Sequence, residues 1–110
     1  MNTYYNPDDL RKFSTVGEEA PELWDKFMAY YGGSMADGAL TAREKALIAL
    51  AVAYAEMCPY CIDQYTQNLL QMGLEEEQIM EAIHVTAAMK AGITLVHGVQ
   101  SKNIIDQLEM

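Results

Sequence analysis

Apolar side chains recur at helical spacing along most of this chain, and no segment alternates apolar and polar residues convincingly as a strand. The pattern therefore predicts an all-α fold, with boundaries set by caps and breakers. Asn6 before Pro7 is a helix cap with proline at the first helical position, opening a short amphipathic segment through about Phe13. Pro21 starts a second helix with Leu23, Trp24, Phe27, Met28 and Tyr31 on the face that covers the core or a neighbouring subunit, and Gly32-Gly33 ends it. Thr41-Ala42-Arg43-Glu44 reads as a capping box opening a helix with Leu47, Ile48, Leu50, Ala51 and Val52 inside. A break falls at Met57-Cys58, because Pro59 lacks an amide hydrogen and suits a first turn; the helix it opens runs to about Met72 and stops at Gly73. Acidic residues at Glu75-Glu76-Glu77 favour a fifth helix start, with Ile79, Ala82, Ile83, Thr86 and Ala87 inward and an end at Gly92. A sixth helix, from about Ile93 to Gln107, carries Leu95, Val96, Val99 and Ile104.

With 110 residues, 51% of them hydrophobic, the chain suits one domain. A core of this size is modest, which makes burial between subunits an expectation. The net charge of -9 repels phosphate backbones and anionic headgroups, arguing against nucleic acid and membrane partners. The polar start, Met1 to Pro7, lacks the basic and apolar regions of a secretory signal, so a cytoplasmic location is expected. The most apolar window, Ala46 to Ala55, is about half of what a membrane span requires.

Two cysteines three residues apart, Cys58-Pro59-Tyr60-Cys61, sit where a helix begins. If Cys58 is the cap, its sulfur faces the free amides of the first turn, which favour a thiolate. Cys61, one turn on, is close enough to attack an oxidised Cys58 or to release a mixed disulfide. Spacing alone leaves open which sulfur reacts first. Two other readings weigh against a redox pair: a pair of buried apolar cysteines, and a zinc site. Zinc needs about four ligands, and the separation of His84 and His97 from the cysteines fits no common pattern, so no metal is expected.

On these residues the chain resembles the carboxymuconolactone decarboxylase and alkylhydroperoxidase D superfamily. The likeness runs from about Leu40 to Gln100, through Thr41 to Val52, Cys58 to Asp63, Met72-Gly73-Leu74 and Ile79-Met80-Glu81-Ala82. It implies an alkylhydroperoxidase D-like bundle of about six helices, with the C-x-x-C at a helix N-terminus, assembling as a trimer or hexamer. Residues 1–38 would form an N-terminal helical cover, resembling a peroxidase-like subgroup associated with arsenosugar pathways, over a family core at 39–110. The resemblance also implies peroxide reduction by Cys58 and Cys61, assisted by a glutamate and a histidine. The glutamate position, twelve before the first cysteine, is Ala46, and the histidine position, four after the second, is Tyr65. Tyr60 replaces a further histidine found between the cysteines of some members. Tyrosine is a poor base near neutrality, with a reference pKa of about 10, so another group must manage the proton.

Glu44, fourteen before Cys58, returns to roughly the same helix face but already serves the capping box. His84, in apolar company on the fifth helix, is either a hydrogen-bonded core group or a proton acceptor. Glu56 and His97 are weaker candidates for the same role. Tyr54 lies one turn before Cys58 and lines the pocket or fills the core. The chain thus reads as a cytoplasmic thiol-disulfide oxidoreductase acting on a small peroxide or other electrophile. Its catalytic set is Cys58, Cys61, Glu44, Tyr65 and His84, with Tyr60 and Tyr54 orienting the substrate. It needs no cofactor, and a thiol donor protein or small thiol re-reduces it. Two rival readings remain: a decarboxylase on a small cyclic acid, for which Arg43 and Lys90 offer little cationic clamp, and a non-catalytic metal- or redox-sensing oligomer.

Overall fold

The computed structural model describes residues 6–109; the polar start over residues 1–5 lies outside them. Among the described residues there are five helical elements and no strand: a 3₁₀ segment, Pro7–Gly17, then α1 (Pro21–Met35), α2 (Ala42–Ala55), α3 (Pro59–Gln71) and α4 (Glu76–Leu108).

The capping signals act as their chemistry requires. Asn6 Oδ1 accepts the Asp8 N–H at 3.0 Å. At α2, Thr41 Oγ1 accepts the Glu44 N–H at 3.1 Å while Glu44 Oε1 accepts the Thr41 N–H at 2.9 Å, so two first-turn donors are satisfied reciprocally. Asp37 Oδ1 takes a third, the Ala42 N–H, at 2.6 Å. At the far end of α3, Gly73 adopts φ 88°, its N–H reaches Leu70 O, and the Leu74 N–H reaches Leu69 O. That is a Schellman turn, and it places Leu74 beside Leu69 in the core.

Three boundaries differ from the sequence reading. The N-terminal segment continues past Phe13 to Gly17, α1 runs through Gly32-Gly33 to Met35, and α4 crosses Gly92 without a break, so the fifth and sixth expected helices are one. Glycine inside a helix costs about 1 kcal/mol relative to alanine but does not remove the hydrogen-bond ladder as proline does. No proline lies near Gly92 or Gly32-Gly33 to stop it.

The buried core is small and central: Ala46, Leu50 and Ala53 of α2, Tyr65 and Leu69 of α3, then Leu74, Ile79 and Thr86. Ile48 and Val52, expected inside, face outward at about half exposure, because α2 turns its small residues toward α3 and α4. Beyond Thr86, α4 has no buried residue, and Val85, Met89, Ile93, Val96 and Val99 form an uncovered apolar stripe. The radius of gyration is accordingly 19.0 Å, against about 13 Å for a compact domain of this length. By length and composition alone α4 also meets the requirement for a membrane span, which the window at Ala46 to Ala55 did not.

The N-terminal segment and α1 lie over the α2–α3 pair. Gly17 is buried there against the Trp24 indole, and a Cβ on it would come within 2.3 Å of Trp24 Cγ. Phe13 meets the same indole edge-on, with centroids 4.9 Å apart and planes at 73°.

Candidate functional site

Cys58 joins two helix ends. Its N–H donates to Ala53 O at 2.9 Å, closing a Schellman turn on α2. Its Sγ accepts the Cys61 N–H at 3.3 Å, capping α3. The reversal between them needs a left-handed residue, and Met57 takes φ 55°, a conformation that costs a residue with a Cβ about 1–2 kcal/mol. Cys58 is therefore held through its backbone by α2 and through its sulfur by α3.

Cys61 lies one turn into α3, packed against the core cluster. Its thiol is pushed up to about 11, first by burial, then by its hydrogen bond to Cys58 and by the charge of Cys58, with a backbone hydrogen bond partly opposing. The Cys61 amide favours negative charge on the Cys58 sulfur, which accepts from both the amide and the thiol of Cys61.

Both sulfurs line a cavity of about 860 Å³ with mainly apolar walls. Tyr60, Gln64, Tyr65 and Asn68 of α3 and Ala42 and Ala46 of α2 form one side; the N-terminal segment and α1 form the other. Phe13, Trp24, Phe27 and Tyr31 make a ladder along the cover, with successive centroids 4.9, 6.1 and 5.7 Å apart. It ends at Tyr31, whose hydroxyl is raised in pKa by burial and by the charge of Cys61.

The residues singled out from sequence are thus divided. Cys58, Cys61, Tyr60 and Tyr65 meet in the cavity. Tyr54 packs against the core cluster and is not among the lining residues. Glu44 is exposed at the start of α2, its carboxyl lowered by hydrogen bonds from the Thr41 backbone and side chain. His84 and His97 are exposed on α4, and His97 Nδ1 lies 2.8 Å from Ile93 O. Arg43 is exposed, and Lys90 reaches Ala55 O at 3.5 Å. The cation that lines the cavity, Lys12, is paired with Asp9 at 3.1 Å. Tyr31 was read from sequence only as part of an apolar face; its position four after Phe27 was the available signal, and the distance in sequence from the cysteines hid its place on the cavity wall.

Residues 21–100, which run from the start of α1 well into α4 and include both cysteines, match the carboxymuconolactone decarboxylase family. The chain belongs to that family. An uncharacterised protein of the cox locus of Paracoccus denitrificans is 41% identical over 85 residues, covering 77% of each chain. An uncharacterised protein of Cupriavidus necator is 29% identical over 82 residues, covering 74% of this chain and 73% of its own. Among solved structures, a carboxymuconolactone decarboxylase family protein of Legionella pneumophila superposes with a TM-score of 0.69 at 30% identity, over 84% of this chain and 82% of its own. A protein of Methanobacterium thermoautotrophicum gives 0.72 at 31% identity, over 76% and 93%. Within this carboxymuconolactone decarboxylase family member, the place that the resemblance gives to a glutamate is filled by Ala46, 1% exposed and on the cavity wall.

Proposed function

We propose that this family member is a thiol-disulfide oxidoreductase of the alkylhydroperoxidase D-like type, working in the reducing surroundings of the cytoplasm. The observation that carries the reading is the asymmetric pair: Cys58 accepts two hydrogen bonds from Cys61 at the wall of an apolar cavity. The Cys58 thiolate attacks one oxygen of a peroxide, the O–O bond breaks, and Cys58 becomes a sulfenic acid while the departing alkoxide takes a proton. Cys61 then attacks the sulfenic sulfur, its proton leaves with the hydroxyl as water, and a disulfide forms. A dithiol donor, oxidised in turn, restores both thiols. Tyr60 and Tyr65 orient the substrate.

The uncovered stripe on α4 supports a homo-oligomer, in line with the trimer or hexamer that the resemblance implies. An apolar face of this length on a chain this small is best covered by copies of itself.

The test is a thiol count on reduced protein before and after one equivalent of hydroperoxide. Loss of two thiols, restored by dithiothreitol, with a trapped sulfenic acid in Cys61→Ser, supports the reading. Thiols that survive peroxide overturn it.

A further inference from the structure

The departing oxygen needs a proton; on the sulfurs' own helix Tyr60 and Tyr65 are given to orienting the substrate, and Tyr65 is packed into the core. Glu44 and His84 do not line the cavity, and Ala46 stands where a carboxyl was expected. The wall opposite the sulfurs carries Tyr31, which is brought there by α1 and stacked on Phe27.

We infer that Tyr31, supplied by the N-terminal cover, is the proton donor to the oxygen that leaves when Cys58 attacks a peroxide. The inference rests on the peroxide reading above. A phenol kept protonated by burial, on the cavity wall shared with the sulfurs, is matched to an alkoxide, a far stronger base than itself. The step balances: the Cys58 thiolate and ROOH give the sulfenic acid and an alkoxide, which takes the Tyr31 proton to become ROH. The tyrosinate then relays the Cys61 proton to the hydroxyl that leaves as water when Cys61 attacks the sulfenic sulfur, and is itself reprotonated from solvent. The cover thus completes the site as well as shielding it. Tyr31 as a residue is 38% exposed, which gives it a route to exchange protons with solvent between turnovers.

The test compares wild type and Tyr31→Phe in three reactions of the reduced protein that differ in what the leaving group requires. Cumene hydroperoxide releases an alkoxide that must be protonated, peracetic acid releases a stable carboxylate, and iodoacetamide releases iodide. The expected result is a loss of about 10²-fold in the cumene hydroperoxide rate, with the peracetic acid and iodoacetamide rates within twofold of wild type. An equal loss in all three shows that Tyr31 only holds the sulfurs in place, and overturns the inference. So does an unchanged cumene hydroperoxide rate, which leaves the peroxide reading standing. Wild-type protein that alkylates normally but resists both peroxides overturns the peroxide reading, and the inference with it.

Discussion

The Cys61 N–H points at Cys58 Sγ over 3.3 Å, so the residue that follows the first sulfur by one turn stabilises negative charge on it through the backbone. No side-chain base takes part in this contact. The helix start itself makes the two thiols unequal.

Alkylation should expose that inequality. Because Cys61 is pushed up to about 11, its thiolate fraction climbs roughly tenfold per pH unit until the pH nears that value. Iodoacetamide at pH 8 should label Cys58 first, and Cys61 should react appreciably only above pH 10, as peptide mass spectrometry will read. In Cys58→Ala the neighbouring charge and hydrogen bond are gone, so the labelling profile of Cys61 should move to lower pH. Equal labelling of both thiols at pH 8 in wild type contradicts the assignment.

The cover can be loosened at one point. Gly17→Ala places a methyl group within 2.3 Å of Trp24 Cγ, and overpacking of this kind costs about 1–3 kcal/mol. The indole must move away from Phe13, which should shift the Trp24 emission and lower the urea midpoint. The rate of Cys58 alkylation should hold or rise as the cavity opens; a fall would mean that the cover supports the sulfurs directly.

Ala46→Glu puts a carboxyl on the cavity wall where the resemblance expects one. Burial disfavours the charged form, so the folded-state pKa of the new carboxyl lies above its unfolded value of about 4.3. The folded protein then binds more protons than the unfolded chain above that pH, and the variant's stability relative to wild type should fall as pH rises through the folded pKa and recover on acidification. Thermal melts between pH 4 and 8 check the sign. The same carboxylate gives the sulfurs a base, and the pH profile of the peroxide rate should gain one ionisation beyond that of the wild-type thiols.

A charge in the apolar stripe of α4 tests assembly. Val96 is 63% exposed in the single chain, so Val96→Asp costs little to a monomer, yet it buries a carboxylate if copies meet there. Sedimentation should show wild type as a trimer or hexamer and Val96→Asp as smaller species with reduced helicity. Monomeric wild type of full helicity would remove the oligomer from the proposal.

Much of this molecule was readable in its sequence, and the parts that were not have a common cause. Local signals carried through: the Thr41 and Glu44 capping box, the turn at Gly73, the start of α3 at Cys58-Pro59. Each depends on residues within one turn of one another. The glycines at 32, 33 and 92 misled because glycine permits a helix end without imposing one. Met57 went unnoticed as the left-handed residue, since methionine gives no sign of that conformation. Tyr31 reaches the cavity because α1 packs on the N-terminal segment and on α2, a placement thirty positions from Cys61 that no periodicity encodes. His84 sits among apolar neighbours in sequence, yet α4 presents it outward, because Ile79 and Thr86 set the face that meets α2.

The uncovered half of α4 also bears on how the chain is made. Thr86 is the last buried residue among those described, so the core is complete once that point has left the ribosome. What emerges afterwards is a helical rod of about 30 Å, tied back to α2 by Lys90 at Ala55 O and burying no residue among those described. Most helical stability in proteins comes from packing an apolar face, so under the homo-oligomer reading proposed above this rod is the last part to be ordered, against other finished chains. On that reading maturation is a second-order process, governed by how many copies a cell produces at once as much as by the sequence of any one of them.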